Sequence, residues 1–502
     1  MRILLIIPNF DSDREHYFSN VESLGVQYIC SSLIEKGHIC KMINGFAYNY
    51  NDNEIVSSVI DFQPELIGIS CPTQRSYKFT KRLIDVLGKN IFAPIFIGGF
   101  YATLAYKDIL EDLNNIDGIV LGEGEITFNE LANRIQNNKP FYDIKGIAYM
   151  DKNNIYANDP IRILDLDQLP FPERNIDYLG NLETDMEQGM NLIGGKFFRI
   201  LSGRGCYGRC SFCSIIDYYQ HKRKKIYRSA TNVADEIELL YNTYGINKFK
   251  FNDEILYDLS QKGKKWVRDF CAEIERRMLK IEFVGELRAN DVSKDELLML
   301  KEIGLTKVSI GVESGVQRIL DEMNKDIKTD DILKAISLLR ECKIEPVFSF
   351  ITIIPTMSLE ELLENYLFMH KLGCFKEKNL YNKLNLYTGS PYIDILRQQN
   401  LLLPSSVFFE RHNYIFKDAR VERFSIFIKQ FINQFGEDER KSIDCLGAND
   451  NYHDERNSLI LQIIINTIDY LKDGLNVINF DIYYEYLCSK YANQIKRLHS
   501  LC

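Results

Sequence analysis

The chain has no apolar run long enough to cross a membrane. Its amino terminus, MRILLIIPNF, offers five consecutive strongly apolar residues before Pro8, too few for a signal-peptide core and far short of the roughly 20 a spanning helix needs. The longest later stretch, SLILQIIINTIDYL from Ser458 to Leu471, is interrupted by Gln462, Asn466 and Asp469 and reads as a buried helix. There is no surplus of positive charge either. Lys and Arg number 61 against 70 Asp and Glu, for a net charge of -9, which excludes a general nucleic-acid binder. One local exception is the basic run HKRKKIYR, His221 to Arg228, read as a solvated loop or as a clamp for an anionic group. Low-complexity segments and repeats of solenoid period are missing, so the class is globular. With no secretory signal, the twelve cysteines are expected in a reducing, cytoplasmic setting, where clustered thiols bind metal or react rather than form disulfides.

What is present is a double alternation of strand and helix. From residue 2 to about 137, RILLII, HICKMI, LIGIS, PIFIGG and GIVLG are separated by stretches of helical length. That pattern predicts an α/β domain, Rossmann-like, with a parallel sheet covered on both faces. Ligands of such sheets sit beyond the carboxyl ends of the strands. The loops there are Pro8 to Phe10, Ser70 to Thr73, Gly98 to Thr103 and Gly122 to Glu125. GIAYMDKNNIYA predicts a closing hairpin turning at Asn153 and Asn154. Pro170 and Pro172 in LDLDQLPFPERNID impose an extended connector.

From 197 six further strands can be read, FFRILSG, KFKFND, IEFVGEL, KVSIGVE, EPVFSFIT and KLNLYT, with Gly245 and Gly304 closing two of the intervening helices. Six βα units make a partial (βα)6 TIM barrel, since eight take about 250 residues. The expected division is 1-160 for the first domain, 161-196 for the connector, 197-394 for the barrel and 395-502 for a helical domain.

The loop after the first barrel strand holds LSGRGCYGRCSFCS, placing Cys206, Cys210 and Cys213 within eight residues of each other. A structural zinc site wants a fourth Cys or His, and His221 is the nearest. A cubane iron-sulfur cluster normally takes four cysteines. With three, one iron keeps an open position for a substrate.

Cys-x3-Cys-x2-Cys after the first strand of a partial barrel resembles the hallmark of the radical S-adenosylmethionine (SAM) superfamily. The resemblance implies a 4Fe-4S cluster on Cys206, Cys210 and Cys213. It further implies chelation of the fourth iron by S-adenosyl-L-methionine, and reductive cleavage of that cosubstrate to a 5′-deoxyadenosyl radical. Phe212 stands where the family has an aromatic near adenine. FKFNDEILY offers Asp253 and Glu254 to the methionyl amino group; for Asp253 a helix N-cap is the alternative. FVGELRAND offers Glu286 and Arg288, SIGVESG offers Glu313 and Ser314, and IIPTMSLEE offers Pro355, although Ile354 stands where the family has Gly.

The order of domains, with the LPFPER connector, resembles the cobalamin-binding branch of that superfamily. The loops of the first domain would then hold the corrin through Asn9, Ser70, Thr73, Gly98, Gly99, Tyr101, Thr103, Gly122 and Glu123. The Asp-x-His-x-x-Gly motif is absent and His16 lies in another context, so cobalamin is expected without a protein histidine on cobalt. Cys30, Cys40 and Cys71 do not resemble the second-cluster pattern of methylthiotransferases. The implied activity is methylation of an unactivated carbon of a natural product, peptide or lipid. Alternatives are radical rearrangement, cyclisation or ring contraction, and a non-catalytic cobalamin or redox sensor. An external electron donor such as flavodoxin or ferredoxin is the implied partner, and neither nucleic acid nor a membrane span is expected.

Overall fold

The structure is a computed structural model and describes residues 1–9, 22–88, 91–175, 196–375, 377–405, 407–408, 412–442, 450–472 and 480–501. His16 and most of the second half of the connector lie outside the described residues. The first domain is a seven-stranded sheet. β1 (Arg2–Ile7), β2 (Ile39–Asn44), β3 (Leu66–Ser70), β4 (Ile95–Gly98) and β5 (Gly118–Val120) are followed by β6 (Ile147–Asp151) and β7 (Asn154–Ala157), in the order β2-β1-β3-β4-β5-β6-β7. The first five are parallel, and the hairpin adds two antiparallel strands at one edge. β1 lies between β2 and β3, which makes the gap beyond β1 and β3 a topological switch point, where doubly wound sheets bind ligands. Two apolar cores flank the sheet. Leu4, Ile6 and Ile69 face one, and Leu5, Phe96 and Val120 face the other.

The hairpin turns one residue earlier than expected. Lys152 and Asn153 carry the positive φ angles, 47° and 65°, and Asn154 already belongs to β7, as a two-residue primed turn requires.

The second body is a parallel sheet of five strands. These are β8 (Phe198–Ile200), β11 (Lys248–Phe251), β12 (Glu282–Arg288), β13 (Leu305–Glu313) and β14 (Glu345–Phe350), in the order β14-β13-β12-β11-β8. A short antiparallel pair, β9 (Gly203–Arg204) and β10 (Ile226–Tyr227), frames the cysteine loop. The expected sixth strand, KLNLYT, is reduced to isolated bridges. Lys383 pairs with Ile353 and Leu386 with His412, and the segment then ends in Gly389 with φ 80°.

Helices line the outside of this sheet, and the carboxyl-terminal helices 419–442, 450–472, 480–490 and 492–501 extend the same core. Phe424, Phe427 and Phe431 are buried in continuity with the barrel, and Tyr366 meets Phe424 at 5.7 Å between ring centroids. Among the described residues no helix is long and apolar enough to cross a membrane.

The two bodies are fastened by Arg174 of the LPFPER connector. Its guanidinium binds Glu22 on the first domain and, at 2.8 Å, Glu236 on the barrel helix Ala230–Tyr244. All three side chains are almost wholly buried, and such a charge is tolerated inside only when paired.

Candidate active site

A cavity of about 290 Å3 opens at the carboxyl ends of the barrel strands, and Cys206, Cys210 and Cys213 all line it. They come together because β8 delivers the chain to a loop tightened by a bond from Cys213 N to Cys210 O at 3.0 Å. Gly208 N donates to Cys206 Sγ at 3.2 Å, and Arg288 Nη1 donates to Cys210 Sγ at 3.4 Å. Burial pushes the Cys206 thiol up, and the Cys213 thiol up to about 12. Thiols so placed gain from a metal that takes them as thiolates.

Among the described residues no group of three or more His, Cys, Asp or Glu side chains converges to hold a single metal ion. His221, the nearest candidate for a fourth zinc ligand, is exposed and faces Asp217 at 3.4 Å. Three thiols around one cavity suit a cubane, whose irons each take a separate cysteine.

Four acidic candidates from the sequence take different positions. Glu254 and Glu286 line the cavity, and burial raises the pKa of each. Glu286 is bared to the cavity, yet it lies deep enough in the protein for scarce water to disfavour its anion. Glu254 accepts from Gly205 N at 2.9 Å. Glu313 also lines the cavity and pairs with Lys325 at 2.7 Å. A register shift in β13 and a φ of 62° turn Glu313 inward, the re-aiming that bulges perform beside sites. A side chain at Gly311 would come within 2.6 Å of both partners of that pair.

Asp253 stands behind the cavity rather than in it. It accepts from Ser202 N at 3.0 Å and Ser202 Oγ at 2.8 Å, and it pairs with the buried Lys225. The N-cap alternative is not realised, since no helix begins there.

The other barrel candidates divide likewise. Phe212 lines the cavity, with Lys325 Nζ 5.6 Å from its ring centroid. Arg288 lines it too. Ser314 is fully buried against Asn365 at 3.2 Å, and Pro355 offers its carbonyl to Lys417 N at 2.8 Å. Neither lines the cavity, because both chain segments leave the strand ends into packing contacts.

A larger cavity, about 420 Å3, lies between the first domain and the barrel. Ser70, Gly98, Gly99, Gly122 and Glu123 line it, at the carboxyl ends of β3, β4 and β5. Four loop candidates shape these loops from behind. Asn9 donates to Asn49 Oδ1 and Tyr50 O, and Thr73 caps the helix Gln74–Leu87. Tyr101 is buried and donates to Phe408 O at 3.2 Å. Thr103 joins two loops, donating to Gly99 O and accepting from Gly122 N, each at 2.9 Å.

Residues that sequence reasoning missed close the cavity from the barrel side. Tyr218 stacks on Phe100 at 4.8 Å across the interface, and Arg204 forks between Glu123 at 3.0 Å and Glu125 at 2.6 Å. Behind them Arg162 of the connector, which does not line the cavity, sets its guanidinium 3.6 Å from the Tyr219 ring centroid. A tyrosine pair directly after the cysteines was the one visible signal. Of the basic run, residues 221–224 are exposed, whereas Lys225 and Arg228 are buried in ion pairs with Asp253 and Glu236. Neither a wholly solvated loop nor a clamp describes it.

The fold sets three cysteines at the mouth of a partial barrel beside a doubly wound domain, and comparison with known proteins supplies the class of each. Residues 15–132 match the B12 binding domain and residues 200–369 match the Radical SAM superfamily. The chain is 27% identical over 377 residues to an uncharacterized methyltransferase of Pyrococcus horikoshii, covering 74% of this chain and 78% of the relative. It is equally 27% identical, over 425 residues, to the anaerobic magnesium-protoporphyrin IX monomethyl ester cyclase of Rubrivivax gelatinosus, covering 83% and 73%. The solved structure of the cobalamin-dependent S-adenosylmethionine radical enzyme OxsB with aqua-cobalamin bound shares the fold. Its TM-score is 0.75 over 99% of this chain and 76% of OxsB, at 18% identity. The chain belongs to the cobalamin-binding radical SAM enzymes, whose cofactors are a 4Fe-4S cluster, S-adenosyl-L-methionine and cobalamin.

Proposed function

We propose that this enzyme is a methylase acting on an unactivated carbon of a natural-product, peptide or lipid substrate. The observation that carries the reading is that the two cavities adjoin, for Glu254 and Ile215 line both. When bound, the cluster with S-adenosyl-L-methionine supplies radical hydrogen abstraction, and cobalamin supplies a transferable methyl group. Cys206, Cys210 and Cys213 would hold the cluster. Glu254 and Glu286 are carboxylates whose charge burial disfavours, so an incoming ammonium relieves the cost of their burial. The Glu313–Lys325 pair offers the cosubstrate both signs of charge, and Phe212 offers an apolar face. The loops at Ser70, Gly98, Gly99, Gly122 and Glu123, opposed by Tyr218, would enclose the corrin. Asp253, Ser314, Asn9, Thr73, Tyr101 and Thr103 act on that site through the loops they hold.

Flavodoxin or ferredoxin in a reducing compartment would supply the electron, and the division at 160, 196 and 394 marks the proposed domains. The test is anaerobic reconstitution with iron, sulfide and hydroxocobalamin, followed by S-adenosyl-L-methionine, reductant and candidate substrates. Methylation predicts 5′-deoxyadenosine together with S-adenosylhomocysteine whose formation needs cobalamin. A second reading, radical cyclisation or rearrangement, is favoured by the cyclase relative, which is as similar as the methyltransferase. That reaction would yield deoxyadenosine alone. Neither product with any substrate would favour the sensor.

A further inference from the structure

We infer that Arg288 sets the reduction potential of the cluster held by Cys206, Cys210 and Cys213, an inference that rests on those cysteines being its ligands. The resemblance offered Arg288 as a cosubstrate contact, but its guanidinium is turned to the thiols. Nη1 donates to Cys210 Sγ at 3.4 Å, Nη2 donates to the carbonyl of Lys325, and Nε points to Asn290 Oδ1 at 3.4 Å. The side chain is 5% exposed and covered by the Tyr207 ring, whose centroid lies 5.2 Å away.

No ion pair with a carboxylate joins Arg288 among the described residues, although Lys325 beside it is matched by Glu313. A buried guanidinium needs a counter-charge. Asp291 feels its charge without an ion pair, whereas the direct bond goes to the Cys210 sulfur, which becomes anionic on taking metal. Gly208 makes the approach possible, since a Cβ there would stand 2.6 Å from Nη1.

Hydrogen bonds to ligating sulfur and the local net charge are two of the levers that set iron-sulfur potentials. Reduction adds one electron to the cluster and neither makes nor breaks a bond in the protein. A fixed cation bonded to a ligand sulfur stabilises the added negative charge, so Arg288 holds the potential up and eases reduction by a donor of limited strength. It is a positioning residue, acting through Cys210.

The test uses the full chain, reconstituted anaerobically and titrated with dithionite while the paramagnetic reduced cluster is followed by electron paramagnetic resonance. Iron and sulfide are counted in each sample. Arg288→Gln with four irons per chain is expected to be at least tenfold harder to reduce, a downward shift of 59 mV or more for a one-electron couple. Should Arg288→Gln fail to load, Arg288→Leu, which likewise removes the cation, is judged by the same midpoint. A loaded variant with the wild-type midpoint overturns the inference and leaves the cysteine assignment standing. A wild-type chain that assembles no four-iron cluster removes the assignment itself, and the inference with it.

Discussion

Asp253 is bound to Lys225 in an ion pair whose side chains are 1% and 0% exposed. Its neighbour Glu254 faces both cavities. Adjacent acids on one strand exit therefore do different work, the first holding the loop and the second available to a ligand. Breaking one side of a buried pair leaves an uncompensated charge and costs about 3–5 kcal/mol. Asp253→Asn is expected to lower unfolding stability by that order in urea denaturation. Glu254→Gln should show no such loss of stability and should weaken S-adenosyl-L-methionine binding by equilibrium dialysis. Equal stability losses for the two variants would contradict this division.

Arg174 carries a second prediction. Replacement by Met removes the cation shared by Glu22 and Glu236 and leaves Glu22 buried without its partner. The loss should again be about 3–5 kcal/mol. It should also appear as faster limited proteolysis between the first domain and the barrel, because Arg174 bonds to both. Unchanged cleavage would mean that other contacts, the Arg204 fork and the Tyr218–Phe100 stack among them, hold the interface.

Gly99 is required by backbone shape as well as by space. Its φ is 109°, and a Cβ there would lie 3.0 Å from the carbonyl carbon and oxygen of Cys71. A side chain in that conformation is strained. Gly99→Ala should cost about 1 kcal/mol or more of stability and displace the loop that lines the larger cavity. Absorbance titration with hydroxocobalamin should then show weaker binding than in the wild type. Wild-type affinity would place the corrin elsewhere.

How far the sequence could be read depended on whether a feature is local. The parallel strands of both sheets are carried by short apolar runs, and all but one lie where periodicity puts them. KLNLYT failed because its pairing with Ile353 depends on the edge of β14 and on the Gly389 turn, which the local pattern does not contain. The three cysteines were legible because their spacing is itself the signal. Asp253 was offered to the amino group by the resemblance of FKFNDEILY, a local pattern that does not contain Ser202 and Lys225, which reach it from other segments. Tyr218, Arg204 and Arg162 were missed for a related reason. They matter only where the barrel meets the first domain, and the residues they touch, Phe100, Glu123 and Tyr219, are scattered along the chain. In the basic run the sign of charge was plain, yet only the fold supplies the carboxylates that bury Lys225 and Arg228.

Glu286 gives a prediction in pH. Burial, with Glu254 and Glu313 nearby and Lys250 opposing, raises its pKa in the folded chain. A carboxyl raised on folding is protonated more readily in the native state than in the unfolded one. Its contribution is favourable at low pH and is lost as pH climbs from the unfolded value, about 4.3, through the folded one. Without cofactors, Glu286→Gln should therefore gain thermal stability relative to the wild type as pH is raised from 5 to 8, with little difference at pH 5. Adding S-adenosyl-L-methionine should narrow that gap, because an ammonium beside Glu286 favours the anion and restores stability to the wild type alone. Tm measured against pH, with and without the cosubstrate, reads both effects. Parallel profiles for the two proteins would show that Glu286 does not titrate as its burial requires. A gap untouched by the cosubstrate would place the ammonium away from this carboxylate.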